Sequence, residues 1–141
     1  MDELTSCGGL IKQIHDALER SANNAMRPTG LTMAQLGVLL ALDRAEDGTL
    51  PLKEVERLFR VAQSTAAGIV ARLEQKGLVE PVGDPNDRRV KLVRITKAGR
   101  ACCRGAKQNM EQAETELLSG LTAAEREIFF VLLHKVRDSL Q

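Results

Sequence analysis

The sequence predicts a mainly α-helical fold carrying one small β-hairpin. Apolar residues recur at helical spacing over nearly the whole chain, and the period shifts towards two only around residues 78–95. Gly, Pro, Asn and Asp punctuate these stretches where chain breaks are required. At 141 residues and 43% hydrophobic content the chain suits one domain. A chain of this length buries roughly 68–70% of its unfolded surface, enough for a real core.

Composition removes several function classes. Three Cys cannot make a disulfide framework, so a reducing, cytoplasmic setting is expected. The longest apolar run, Ile128–Leu133, falls far short of the ~20 residues of a membrane span, and the acidic start Met1-Asp2-Glu3 does not read as a signal peptide. Aromatic residues are only Phe59, Phe129 and Phe130, which argues against stacking platforms for unpaired bases. Net charge is +1, but its distribution is uneven. Eight basic residues stand against Asp84 and Asp87 between Asp84 and Lys107, and five Glu against Arg126 alone between Glu111 and Glu127. Such a stripe can serve a polyanion or form a solvated helix face.

The first helix is expected from about Leu4 to Met26, with Leu4, Cys7, Ile11, Ile14 and Leu18 forming a seam suited to another helix. Arg27-Pro28-Thr29-Gly30 breaks it. Thr32 and Gln35 have capping-box spacing and open a second helix whose Leu36, Leu39, Leu40 and Leu42 point inward. After the Asp47-Gly48 turn, Pro51 suits the first turn of a short third helix with Leu52, Val55, Leu58 and Phe59 on its apolar face. Arg60–Ala62 leads into a fourth helix, about Gln63 to Lys76, which buries Ala66, Ile69, Val70 and Leu73 and stops at Gly77. Leu78–Val82 and Val90–Ile95 are the strand candidates, with Pro81 requiring an edge position. Thr96 caps a long helix to about Leu118 with Ala98, Ala101, Cys102, Ala106, Met110, Ala113 and Leu117 inward. Thr122 and Glu125 form a second capping box, and the run from Ile128 to Leu133 in the last helix, apolar on every side, should be buried on several faces.

Two short helices, a tight turn and a basic hairpin describe a winged helix-turn-helix over residues 31–96. The second helix of such a pair enters the major groove, about 12 Å wide, and needs a small or hydrogen-bonding outer face. A helical wheel places Ser64, Ala67, Gly68, Ala71 and Gln75 opposite the apolar face, with Thr65 and Arg72 at its border. Gln63 can pair with an adenine edge, and Ser64 or Thr65 can reach bases or phosphates. The loop Gly83-Asp84-Pro85-Asn86-Asp87-Arg88-Arg89, followed by Lys91, is turn-rich and basic. An Arg at its tip can enter a narrow minor groove, and Asp87 lies two residues from Arg89 where it can orient that guanidinium.

The run Gln63-Ser64-Thr65, Val70 to Val79, Asp84-Pro85-Asn86-Asp87-Arg88-Arg89 and Val93 to Gly99 closely resembles the multiple-antibiotic-resistance regulator (MarR) family, and the likeness covers essentially the whole chain. The resemblance implies a prokaryotic homodimer of winged-helix subunits, residues 1–28 and 97–141 supplying the dimerisation helices. The interface would include Leu4, Cys7, Ile11, Ile14, Ile128, Leu132, Val136 and Leu140. It implies a regulator of transcription that binds a pseudo-palindrome in double-stranded DNA, most often a repressor released by a small molecule or an oxidant. Arg89 matches the family's wing-tip arginine, Asp87 its orienting carboxylate, and Ser64 and Thr65 the start of the recognition helix. Gly68 stands where the family often has Arg, which shifts specificity towards Gln63, the wing and DNA shape.

Cys7, His15 and Cys103 are the candidate redox or ligand residues. Cys7 sits on the first helix, which carries the reactive cysteine in the family's peroxide-sensing branch, although this chain has no Tyr to steady a thiolate. Arg100 and Arg104 near Cys103 would lower its pKa if it faced solvent, whereas a packed thiol is only a small hydrophobe. No cofactor or metal is implied, since there are two His and no Cys-x-x-Cys. A protein-interaction module on the same scaffold is the competing class. An enzyme is disfavoured because the chain has no phosphate loop and no activated nucleophile motif.

Overall fold

The structure is a computed structural model and describes residues 5–141. Helices α1 (Cys7–Met26), α2 (Met33–Arg44), α3 (Leu52–Phe59), α4 (Gln63–Gln75), α5 (Lys97–Leu117) and α6 (Ala123–Ser139) accompany strands β1 (Thr49–Pro51), β2 (Val79–Gly83) and β3 (Lys91–Ile95).

Local chemistry sets the helix boundaries. The Ser6 hydroxyl accepts the Gly9 N–H at 2.9 Å and starts α1. Both capping boxes form: Thr32 with Gln35 at 3.1 Å in each direction, and Thr122 with Glu125 at 2.9 and 3.2 Å. Gly77, at φ +73°, ends α4 in a Schellman motif. The Leu78 N–H reaches the Leu73 carbonyl and the Gly77 N–H that of Glu74.

The core gathers α2, α3, α4, the sheet and the first turns of α5. Val38, Leu39, Leu42, Val55, Ala66, Leu73 and Cys103 are fully buried, with Leu36, Leu40, Val70, Val93 and Ile95 close behind. Each buried Leu contributes about 1.5–3 kcal/mol of burial free energy. β2 and β3 form the expected hairpin, Pro81 lying opposite Val93 on an edge strand that spares it a ladder N–H.

Four expectations are corrected. A third strand, β1, pairs with β3 through Thr49–Arg94, Leu50–Val93 and Pro51–Leu92, so Pro51 ends a strand and caps α3 instead of lying in its first turn. Leu58 is largely exposed on α3. On α5 Cys102 and Ala106 pack against the core as expected, but the fully buried positions are Gly99 and Cys103, and Ala98, Ala101 and Met110 are exposed. A Cβ at Gly99 would fall 2.2 Å from the Leu78 carbonyl oxygen, so the missing side chain lets α5 press on the backbone entering β2 and fixes the helix phase. Finally, the α6 run is not buried within the chain: Ile128, Phe130, Val131, Leu132 and Leu133 are all exposed, Phe130 by 61%.

Candidate nucleic-acid interface

α3 ends at Arg60, whose backbone turns left-handed (φ 51°) and redirects the chain within three residues into α4. Ala62, the N-cap of α4, supplies no side-chain hydrogen bond, so the first-turn amides stay open to an external acceptor. Ala66, Val70 and Leu73 anchor α4 in the core. The opposite face is bare: Gln63, Ser64, Thr65, Ala67, Gly68, Ala71, Arg72 and Gln75 are all exposed, and a Cβ at Gly68 would meet nothing within 4 Å.

Two aspartates shape the hairpin loop. Asp84 Oδ1 accepts the Asn86 N–H at 2.8 Å, and Asp87 Oδ1 accepts the Arg89 N–H at 2.9 Å. The ion pair from Asp87 Oδ1 to Arg89 Nε is looser, at 3.6 Å. Asp87 therefore sets the backbone that carries Arg89 more than it holds the guanidinium, which projects with 95% of its side chain exposed. Below the tip, Arg94 donates to Glu80 Oε1 from both Nε (2.9 Å) and Nη2 (2.7 Å), tying β3 to β2. Arg88 and Lys91 border a groove of about 510 Å³ whose other wall includes Ala67, Ala71 and Glu74 of α4. Recognition face, basic groove and wing tip thus share one side of the molecule.

The dimer candidates Cys7, Ile11, Ile14, Ile128, Leu132, Val136 and Leu140 are all exposed on α1 and around α6; Leu4 lies outside the described residues. Among the redox and ligand candidates, Cys103 is corrected. It is fully buried, and burial, with Asp43 nearby, pushes its thiol up to about 11 against the pull of Lys107 and Arg100. His15 is exposed beside Glu19 at 3.7 Å. Cys7 is exposed.

The family resemblance implied a ligand pocket between the dimerisation helices and the DNA-binding lobe without giving its lining, and a second feature was passed over. A pocket of about 280 Å³ lies between α1, α2 and α5, lined by Leu18, Met26, Met33, Cys102, Ala106, Asn109 and neighbours, none of them charged. The i, i+4 spacing of Cys102, Ala106 and Met110 was its one legible trace. The other is Asp43 at the end of α2, whose carboxylate takes Arg100 at 3.0 Å and Lys107 at 2.8 Å from α5.

Comparison with known proteins places this architecture. A family model described as the MarR family matches residues 29–90. The multiple antibiotic resistance protein MarR of Escherichia coli K12 is 32% identical over 136 residues, covering 96% of this chain and 93% of that protein. A mutant E. coli MarR solved in complex with operator DNA is 31% identical, with a TM-score of 0.67 over 95% of each chain. BpsR of Bordetella bronchiseptica, studied for regulation of its DNA binding by 6-hydroxynicotinic acid, is 31% identical with a TM-score of 0.66, covering 95% of this chain and 94% of that one. No helix among the described residues is long and apolar enough to cross a membrane. With a relative above 30% identity along nearly its full length and a shared overall fold, the chain belongs to the MarR family of transcriptional regulators.

Proposed function

We propose that the chain works as a homodimer on double-stranded DNA, repressing transcription until a small molecule releases it. The observation that carries this is Arg89, held at the hairpin tip by the Asp87 hydrogen bond to its own backbone, its guanidinium exposed and only loosely paired with Asp87, beside the bare face of α4. α4 presents Gln63, Ser64 and Thr65 to the major groove, with Ala67 and Gly68 allowing close approach and Arg72 at the border. Arg89 enters the adjacent minor groove, where the potential is most negative, and Arg88 and Lys91 neutralise the phosphates between.

The exposed faces of α1 and α6 support the dimer. Ile11, Ile14, Ile128, Leu132, Val136 and Leu140 are large apolar side chains left exposed on the single chain, the kind of surface a partner helix covers. Two recognition helices related by a two-fold axis would sit roughly 34–36 Å apart and read a pseudo-palindrome. The relative regulated by 6-hydroxynicotinic acid supports control by a small molecule. The pocket here, with no charged residue in its lining, suits an uncharged and largely apolar one. Binding there releases DNA only to the extent that the ligand prefers the unbound arrangement. The reading assigns no enzymatic step and places the protein in the cytoplasm with the DNA.

The test is capture of sheared genomic DNA from the source organism, wild type beside Arg89→Ala. A palindrome enriched by the wild type and lost in the variant is the expected result. Equal, weak retention by both proteins would refute the wing assignment.

A further inference from the structure

α5 leaves the recognition lobe at the end of β3 and runs on towards α6, so the angle at its root decides how the lobe is carried. Beside apolar packing on the core, two directional attachments fix that root. The first is a point contact: the Thr96 hydroxyl donates to the Gly77 carbonyl at 2.7 Å, and Gly99 lies against the Leu78 carbonyl, where no side chain would fit. Apolar packing of Cys102, Cys103 and Ala106 on the core adds to it, but that packing is non-directional.

The second attachment is Asp43. Arg100 and Lys107 are seven residues apart, two turns along one face of α5. Asp43 Oδ1 accepts from Arg100 Nη1 at 3.0 Å and Oδ2 from Lys107 Nζ at 2.8 Å. Lys107 lies ten residues, about 15 Å, along the helix from its first residue, which gives its bond leverage over the angle. The Asp43 side chain is only 15% exposed, and Cys103, between the two cations, is buried in the core. Gly48 completes the seat: a Cβ there would lie 2.5 Å from Arg100 Nη2, so the guanidinium occupies the space a side chain would need. The cations hold the Asp43 carboxyl below its usual range, chiefly through the Lys107 hydrogen bond. Without the carboxylate, two cations on one face of α5 would lie against the end of α2 with no counter-charge from Asp43.

We propose that Asp43 is a positioning residue for DNA binding: its carboxylate, shared between Arg100 and Lys107, braces α5 against α2 and so fixes the spacing of the two recognition helices in the dimer. The proposal rests on the DNA-binding reading above. It does not require Asp43 to touch DNA.

The test uses the full chain with a spin label on an unnatural amino acid at position 75, the exposed end of α4, leaving the cysteines unmodified. Label-to-label distances in the dimer are measured for wild type, Asp43→Asn, Asp43→Glu and Lys107→Met. The same proteins, unlabelled, are titrated with the fragment that wild type enriches from random double-stranded DNA, and with versions whose half-site spacing is changed by one base pair. Wild type should give a narrow distance distribution and a sharp spacing preference. Asp43→Asn should broaden the distribution, weaken the original fragment roughly three- to tenfold and flatten the preference. Lys107→Met should fall between, which keeps the test alive if Asp43→Asn folds poorly, and Asp43→Glu should restore both readouts. Wild-type distances and spacing preference in Asp43→Asn and Lys107→Met would overturn the proposal, as would equal weakening at every spacing. If wild type enriches no fragment, the DNA-binding reading falls and takes the positioning role with it, while the distances still report whether the brace exists.

Discussion

Gly99 and Gly68 both lie inside helices, yet the same substitution should move stability in opposite directions. At Gly99 a Cβ would stand 2.2 Å from the Leu78 carbonyl oxygen and 2.6 Å from Ile95 Cγ1. The oxygen belongs to backbone that already accepts the Thr96 N–H at 3.0 Å, so relief requires α5 to lift off the sheet. Forced overpacking of this kind costs about 1–3 kcal/mol, and the gain in helix propensity, up to about 1 kcal/mol, offsets only part of it. At Gly68 nothing lies within 4 Å, so Gly68→Ala keeps the gain and should stabilise by roughly 0.5–1 kcal/mol. The assay is urea unfolding of wild type, Gly99→Ala and Gly68→Ala at one fixed protein concentration, because association shifts the midpoint. A midpoint for Gly99→Ala at or above wild type would refute the close approach that sets the phase of α5. A fall for Gly68→Ala would mean that the α4 face is not open.

Three further outcomes follow from the same geometry. At pH 8 iodoacetamide should leave Cys103 untouched in the folded protein until denaturant is added, as its burial and raised pKa require; folded-state labelling of Cys103 would contradict both. The lowered pKa of Asp43 means that the folded state binds fewer protons there than the unfolded chain. Its stabilising contribution is therefore complete above the ordinary value of 3.8 and is lost as pH falls towards the depressed folded value. Asp43→Asn should lose less stability than wild type across that acid range, and parallel curves would remove the linkage. Leu132→Glu, placing a charge on the exposed apolar face of α6, should turn the dimer into monomer in sedimentation velocity; an unchanged dimer would move the interface elsewhere.

The helices were legible because their ends are written in local chemistry: the Thr32–Gln35 and Thr122–Glu125 boxes and the Gly77 cap each act within a few residues. β1 was not, since three residues ending in Pro51 are too short to show alternation and exist as a strand only through pairing with β3. The phase of α5 was misread because Ala, Cys and Gly on several sides leave no apolar stripe; a single tertiary contact at Gly99 decides it. The run from Ile128 to Leu133 is apolar in composition, but among the described residues only Phe129 is half-buried and the other five side chains stay exposed. Of the candidate site, the wing and the α4 face came from short contiguous motifs. The Asp43 bridge spans 57 and 64 residues of sequence, a separation at which spacing carries no signal.

The central claim, a polyanion-binding face built from α4 and the wing, is tested most directly by the salt dependence of binding to double-stranded DNA for wild type and Arg89→Ala. Wild-type affinity should fall steeply and linearly on a log–log plot, and the variant should bind more weakly with a slope reduced by about one. Absent or salt-insensitive binding, or superimposed lines for the two proteins, would contradict it.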